Sequence, residues 1–93
     1  MSNGEKTALE HHIAEAPDVH PIIPGTGGVR KVRWGRGGKG KSGGVRAIYY
    51  FHIGRRAVYM LTLYAKSERT DLTEDDKREM KKIVSRLKGR SLQ

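Results

Sequence analysis

Val45-Arg-Ala-Ile-Tyr-Tyr-Phe-His-Ile53 is the segment on which the fold of this chain depends. It is rich in β-branched and aromatic residues, which favour a pleated, half-buried strand. Its odd-numbered positions are all apolar or aromatic, so they are predicted to face the core. Its even-numbered positions, from Arg46 to His52, are predicted to share the opposite face of the sheet.

The ten residues before this strand, Gly35-Arg-Gly-Gly-Lys-Gly-Lys-Ser-Gly-Gly44, form a glycine-rich basic loop. Its first eight residues match the nucleotide-binding pattern G-x-x-x-x-G-K-[ST]. A working loop of that kind leads into a helix, and an acid on another strand helps to hold magnesium. Here a strand follows the loop, and the next acid in the chain is Glu68. The loop suits the phosphates of a nucleic-acid backbone better, because glycine permits close approach and basic residues neutralise charge.

Four further elements are predicted around the central strand. In chain order they are a helix over Glu5–Ala16, a strand over Val29–Trp34, a strand over Ala57–Lys66 and a helix over residues 73–88. Asn3 is the predicted N-cap of the first helix, and Thr73 that of the last. The turn at Gly54-Arg-Arg56 is too short for a crossover, so the strands that flank it are antiparallel.

The predicted fold class is therefore α+β, with a small twisted antiparallel sheet of three strands between an N-terminal and a C-terminal helix. Residues 1–93 are predicted to form one domain. In the first strand, Val32 and Trp34 share one face, and Lys31 and Arg33 share the other. The prolines and glycines of the connector 19–28 forbid regular structure there, with Ile22 and Ile23 expected to plug the sheet edge.

Charge is segregated along the chain. The net charge is +9, yet no acidic residue lies between Asp18 and Glu68. Ten basic residues fall in that interval: Arg30, Lys31, Arg33, Arg36, Lys39, Lys41, Arg46, Arg55, Arg56 and Lys66. Such a block favours a polyanionic partner, and nucleic acid before a membrane, because no basic amphipathic helix coincides with it.

Several classes of protein are excluded or disfavoured. The chain has no cysteine, which excludes disulfides and thiolate metal sites. His11 and His12 are adjacent and point to different faces of a helix, so no metal site is predicted. No apolar run is long enough to span a membrane. The start, Met1-Ser-Asn-Gly-Glu5, has neither the basic nor the apolar region of a signal peptide, so a cytoplasmic location is expected.

Three motifs in order carry a family resemblance: Ile23-Pro-Gly-Thr-Gly-Gly-Val-Arg-Lys-Val-Arg-Trp34, Gly40-Lys-Ser-Gly-Gly-Val-Arg-Ala-Ile-Tyr-Tyr50 and Leu63-Tyr-Ala-Lys-Ser-Glu-Arg-Thr-Asp-Leu-Thr73. The chain resembles the RelE/ParE superfamily of type II toxins, most closely its HigB-like RelE branch, over essentially residues 5–90. The resemblance implies a cognate antitoxin, expected to be of the helix-turn-helix type, that covers the basic face. It also implies a ribosome-dependent endoribonuclease that cuts mRNA without a metal or small-molecule cofactor.

The resemblance departs from the family at the N-terminus. Members usually begin with a strand and a helix before the segment that matches Glu5–Ala16. If the chain begins at Met1, a bare apolar sheet face and an unpaired sheet edge are expected, and these favour aggregation.

The resemblance also implies roles for individual residues. Arg46 matches the family's strand arginine and is expected to stabilise the phosphate, since arginine can hold two phosphate oxygens at once. Lys31 and Arg33 align with basic positions used in RNA binding and catalysis, and Lys66 is a further candidate for phosphate contact. Tyr50 and His52 are candidates for proton transfer, because the 71–73 segment lacks the tyrosine that some members use. The remaining candidates for RNA binding are Arg30, Arg36, Lys39, Lys41, Arg55 and Arg56.

Two alternatives stay open. The same fold serves gyrase poisons of the ParE type, although the Gly40–Arg46 segment is of the RelE type. The chain could also be a non-catalytic module, a truncated toxin that binds RNA or an antitoxin without cleavage.

Overall fold

The computed structural model describes residues 3–35, 44–68 and 71–90 of the chain. They form five elements: α1 (Asn3–Glu15), β1 (Val29–Trp34), β2 (Val45–His52), β3 (Ala57–Ala65) and α2 (Glu74–Arg90). The predicted α+β class with an antiparallel sheet and two flanking helices is confirmed. The largest differences from the predicted bounds are at two helix ends, where α1 begins two residues earlier, at Asn3, and α2 continues two residues further, to Arg90.

The sheet is antiparallel throughout, in the order β1-β2-β3, so the aromatic strand β2 lies in its centre. The register is continuous between β1 and β2, but it shifts between β2 and β3 at Ile48/Tyr49. Ile48 pairs with Thr62 and Tyr49 with Met60, so Leu61 is the extra residue of a β-bulge. A bulge increases the local twist of the sheet.

Each face of β2 carries its own core cluster. Against one face, Leu9 and Ile13 of α1 pack on Val32, Ala47 and Tyr49. Against the other face, α2 contributes Met80 and Val84 to a cluster with Val29, Ile48 and Tyr50. The prediction that only the odd-numbered positions of β2 are core was therefore too narrow. The expected bare face is not seen among the described residues, because one helix covers each side.

The connector between α1 and β1 is fixed by buried hydrogen bonds. The hydroxyl of Thr26, which is fully buried, donates to the carbonyl oxygen of Ile23 at 2.7 Å and accepts the Val29 N–H at 3.0 Å. The N–H of Ile23 donates to the carbonyl oxygen of Val29 at 2.8 Å. Gly28 has a φ of 123°, a conformation that suits glycine. The segment therefore behaves as a closed loop that sets where β1 begins.

The start of α2 is capped as the sequence predicts. The Thr73 hydroxyl accepts the Asp76 N–H at 3.1 Å, and the Asp76 carboxylate accepts the Thr73 N–H at 2.9 Å. This reciprocal pair satisfies amide groups that the first turn of a helix leaves free. Within the part of the chain that the structure describes, no helix is long and apolar enough to cross a membrane.

Replacing Thr26 by valine tests the closed loop. Valine keeps the shape of the side chain but leaves the Ile23 carbonyl and the Val29 N–H buried without a partner. We expect the free energy of unfolding, measured by urea denaturation, to fall by about 2–4 kcal/mol. Thr26→Ser keeps the hydroxyl and should lose less than half as much. Equal losses for the two variants would contradict the role given to the hydroxyl.

Candidate nucleic-acid interface

Basic side chains from two strands meet on the face of the sheet that α2 covers. Arg46 of β2 lies directly opposite Arg33 of β1 and Tyr64 of β3. Residues that are directly opposite in neighbouring strands point to the same face, with Cβ atoms about 5 Å apart. Lys31, two residues before Arg33, shares that face. Three of the predicted site residues are therefore neighbours on one surface.

Lys66 lies at the same end of the sheet. Its N–H donates to the carbonyl oxygen of Gly44 at 3.1 Å, which extends the β2–β3 pairing past the end of both strands. This pair lies beyond Arg46 and Tyr64, next to the point where the basic loop enters β2. We call Lys31, Arg33, Arg46 and Lys66 the basic row.

Arg46 is buried within the basic row, and no acidic residue lies near it in the sequence. Only 7% of it is exposed, and its Nη1 atom has no hydrogen-bond partner among the described residues. Residues 19–67 contain no acid, and the carboxylate of Glu68 accepts the Ala65 N–H at 2.7 Å. Burying a charge is unfavourable unless it is paired, and Arg33 beside Arg46 adds repulsion. The arrangement favours an anion that comes from outside the chain.

Tyr64 is the one member of this surface that the sequence did not indicate. It is 5% exposed and lies opposite Arg46. An unbroken register from the Gly54–Arg56 turn would place Leu63 opposite Arg46 instead. The bulge at Leu61 moves Tyr64 into that position, and a bulge has no reliable sequence signal.

Tyr50 and His52 share the face of Arg46 but are not brought together with it. They lie four and six residues further along β2. At about 3.3 Å per residue, these spacings correspond to roughly 13 and 20 Å, too far for one phosphate to contact either residue together with Arg46. Burial raises the pKa of the Tyr50 phenol, so its hydroxyl keeps its proton.

The other described basic candidates lie outside the basic row. One makes structural hydrogen bonds, and two lie at the opposite end of the sheet. Arg30 donates from Nη1 to the carbonyl oxygens of Asp18 at 3.0 Å and His20 at 2.7 Å, so it ties the connector to β1. Arg55 and Arg56 belong to the β2–β3 turn, where Arg56 has a φ of 52°. The predictions for Arg36, Lys39 and Lys41 lie outside the described residues.

A cluster of rings lies on the α1 side of the sheet. The His12 ring centroid is 5.4 Å from that of His20 and 5.1 Å from that of Trp34. His20 also contacts the edge of Tyr49 at 6.2 Å between centroids. Burial, and then the neighbouring charges of His12 and Arg30, lower the pKa of His20. Residues 3–35, 44–68 and 71–90 contain no group of three or more His, Cys, Asp or Glu side chains that could hold a metal ion.

Comparison with known families adds one finding. A family model described as the RelE toxin of the RelE/RelB toxin-antitoxin system matches residues 24–93. The matched segment begins in the connector loop and includes β1, β2, β3, α2 and the whole basic row.

Replacing Arg46 and Arg30 by methionine should have opposite effects on stability. Arg46→Met removes an unpaired buried charge, so the free energy of unfolding should stay the same or rise by about 1 kcal/mol. Arg30→Met removes two hydrogen bonds to carbonyl oxygens, so it should fall by about 1–2 kcal/mol. Urea denaturation of both variants checks this pair. A loss above about 2 kcal/mol for Arg46→Met would show that Arg46 has a structural partner.

The stability of the protein should depend on pH through His20. Because its folded-state pKa is lowered, the unfolded chain binds the proton more readily. The contribution of His20 to the free energy of unfolding should be fully present above about pH 6.5, the pKa of histidine in the unfolded chain. It should decrease as the pH falls below that value. Melting temperatures between about pH 5 and 7.5 measure the effect, which His20→Gln should reduce and His11→Gln, at an exposed position of α1, should not. An identical pH dependence in wild type and His20→Gln would contradict it.

Proposed function

This chain belongs to the RelE toxin family of RelE/RelB toxin-antitoxin systems, and on that premise we propose that it is an endoribonuclease that cuts mRNA on the ribosome. Cleavage of mRNA during translation would stop protein synthesis, which is how such a toxin would act. The observation that carries the proposal is Arg46, a buried guanidinium in an acid-free row of basic residues.

The proposed reaction uses the 2′-hydroxyl of the RNA as its own nucleophile. The 2′-oxygen attacks the adjacent phosphorus, the bond from phosphorus to the 5′-oxygen breaks, and a 2′,3′-cyclic phosphate remains. Negative charge on the phosphate oxygens increases in the transition state. A preorganised guanidinium in a site shielded from water stabilises that charge more effectively than water does. Arg46 has this role in our proposal.

The neighbours of Arg46 position the strand and move protons. Arg33, directly opposite Arg46, is assigned to the same phosphate or the next one. A base must take the 2′-hydroxyl proton, and an acid must give one to the leaving 5′-oxygen. We assign these transfers to Lys31 and Lys66, one in its neutral form as the base and the other in its protonated form as the acid, because Tyr50 and His52 are several residues further along β2. Both lysines have the reach of a long flexible side chain.

We further propose that the partner of this protein is an antitoxin that covers the basic row. A RelE/RelB system pairs a toxin with an antitoxin. An antitoxin that presents carboxylates to Arg33 and Arg46 would supply the missing countercharge and exclude RNA at the same time. Ribosome and mRNA are the other two partners in the proposal, and the antitoxin is proposed to carry a helix-turn-helix domain.

Cleavage of a translated mRNA tests the proposal. Wild-type protein added to a translation reaction should give discrete cuts, mapped by primer extension. Arg46→Met should lower the rate of cleavage by at least about 100-fold, because it removes the main donor to the transition-state charge. Arg86→Met, at an exposed position of α2, is the matched control and should cleave at the wild-type rate.

Other results would select other functions. Cuts by Arg46→Met at the wild-type rate would remove Arg46 from the mechanism. Intact mRNA together with blocked DNA supercoiling by gyrase would identify a poison of the ParE type. Binding to RNA that weakens steeply with salt, without any cleavage, would identify a non-catalytic module.

A further inference from the structure

A second concave surface lies at the end of the sheet opposite to the basic row. It is a cavity of about 340 Å³ between the end of β2, the connector and the last turns of α2. Its lining includes Arg30, Tyr50, His52, Gly54 and Lys88, and none of its described lining residues is acidic. The cavity is therefore bordered by two cationic side chains, and none of its described lining residues carries a carboxylate. The protein as a whole has a net charge of +9.

His52 adds a hydrogen-bond donor to this lining. Only 6% of it is exposed, and its Nδ1 atom accepts the N–H of Arg55 at 3.2 Å. In a neutral imidazole whose Nδ1 accepts, the proton is on Nε2, which is then a donor. That Nε2 atom is buried and has no acceptor among the described residues. A buried donor without an acceptor is unfavourable, so the ring is suited to a ligand that offers an oxygen.

Gly54 lets the backbone of the turn lie close against this ring. A Cβ atom at Gly54 would be 3.3 Å from Cε1 of His52, a tight contact that would require the imidazole to move by a few tenths of an ångström. On the other side, the Tyr50 ring meets the His52 ring edge-on, with centroids 6.2 Å apart. Its raised pKa keeps the phenol uncharged, so it does not repel an anion. The imidazole is thus held in one orientation from two sides.

The cavity is separate from the basic row. His52 lies six residues from Arg46 along β2, or roughly 20 Å. Ile48 and Tyr50, which lie between them, pack in the core cluster that includes Met80 and Val84 of α2. A single phosphate cannot reach both places, whereas a polynucleotide has a phosphate at every nucleotide.

We propose that this cavity is a second phosphate-binding site, in which His52 and Lys88 hold a backbone phosphate of an RNA whose scissile bond lies at the basic row, while Arg30, which is bonded to the connector, borders the cavity. A phosphate has enough oxygens to accept from the imidazole and from the Lys88 ammonium at once. A hollow of about 340 Å³ has room for a phosphate with its attached sugar. The assignment to RNA rests on the proposed function, but the presence of an anion site does not.

Binding of an RNA that cannot be cleaved tests the site without any need for catalysis. The probe is a 2′-O-methyl oligoribonucleotide, followed by fluorescence anisotropy over a range of salt concentrations. Lys88→Met should weaken binding about five- to tenfold and reduce the salt slope by about 1, because one phosphate contact is lost. Lys82→Met, an exposed lysine on the same helix that is paired with Glu79, is the matched control and should bind as wild type does.

Two variants of His52 complete the experiment. His52→Leu removes the donor and should weaken binding to a similar extent, whereas His52→Gln keeps an N–H donor and should bind close to wild type. Addition of the RNA should also shift the imidazole ¹⁵N resonances of His52 in the wild-type protein. Lys88→Met does not alter the buried core, so its result stands even if a His52 variant fails to fold.

Three outcomes would overturn the inference. Wild-type affinity in both Lys88→Met and His52→Leu would show that no phosphate is held there. A shift of the His52 resonances by inorganic phosphate but not by RNA would assign the cavity to small phosphates. A shift caused by an acidic antitoxin peptide but not by RNA would assign it to a protein partner. RNA binding through the cavity without mRNA cleavage would instead refute the proposed function and leave the site intact.

Discussion

A buried positive charge on a strand that is covered on both faces is the constraint on which this structure depends. β2 is the central strand of the sheet, with α1 against one face and α2 against the other. Arg46, near the start of that strand, is only 7% exposed. Its Nη1 atom has no hydrogen-bond partner among the described residues. A small domain has little surplus stability with which to offset such a charge. Under the proposed function this charge is a phosphate ligand, which accounts for a feature that folding alone does not favour.

The polar groups on the two faces of the sheet differ in their hydrogen-bond partners. On the α1 face, basic and aromatic groups serve structure. Arg30 donates to two connector carbonyl oxygens, and the Tyr49 hydroxyl donates to the carbonyl oxygen of Pro17 at 2.7 Å. On the α2 face, Arg46 lies directly opposite Arg33, and its Nη1 atom has no hydrogen-bond partner among the described residues. Positive charge alone thus does not mark the site; the hydrogen-bond partners of each residue distinguish the two roles.

Sequence patterns predicted much of this fold and part of the site. Alternation within β1 placed Lys31 and Arg33 on one face, and the three strands and the Thr73 cap were confirmed. Alternation could not show that both faces of β2 are buried, because it reports which residues share a face and not what covers that face. The partner of Arg46 on β3 depends on the bulge at Leu61, which carries no reliable pattern.

Distance along the extended strand β2 separates residues that are close in sequence. Tyr50 and His52 are close to Arg46 in sequence and share its face, and they were the candidates for proton transfer because the 71–73 segment lacks a tyrosine. An extended strand separates them by roughly 13 and 20 Å from Arg46, whereas Lys66, twenty residues away in sequence, is brought to its end of the sheet by the hairpin. Sheet pairing therefore groups residues that the linear order keeps apart.

The side-chain N–H resonances of Arg46 provide the most direct measurement of whether RNA supplies its countercharge. In a ¹⁵N-labelled protein saturated with a 2′-O-methyl oligoribonucleotide, these resonances should shift and become protected from exchange, with through-bond coupling to a ³¹P nucleus. The resonances of Arg30, which is bonded to the connector, should change little and serve as an internal reference. Unchanged Arg46 resonances at full RNA saturation would contradict the account that Arg46 is an RNA phosphate site.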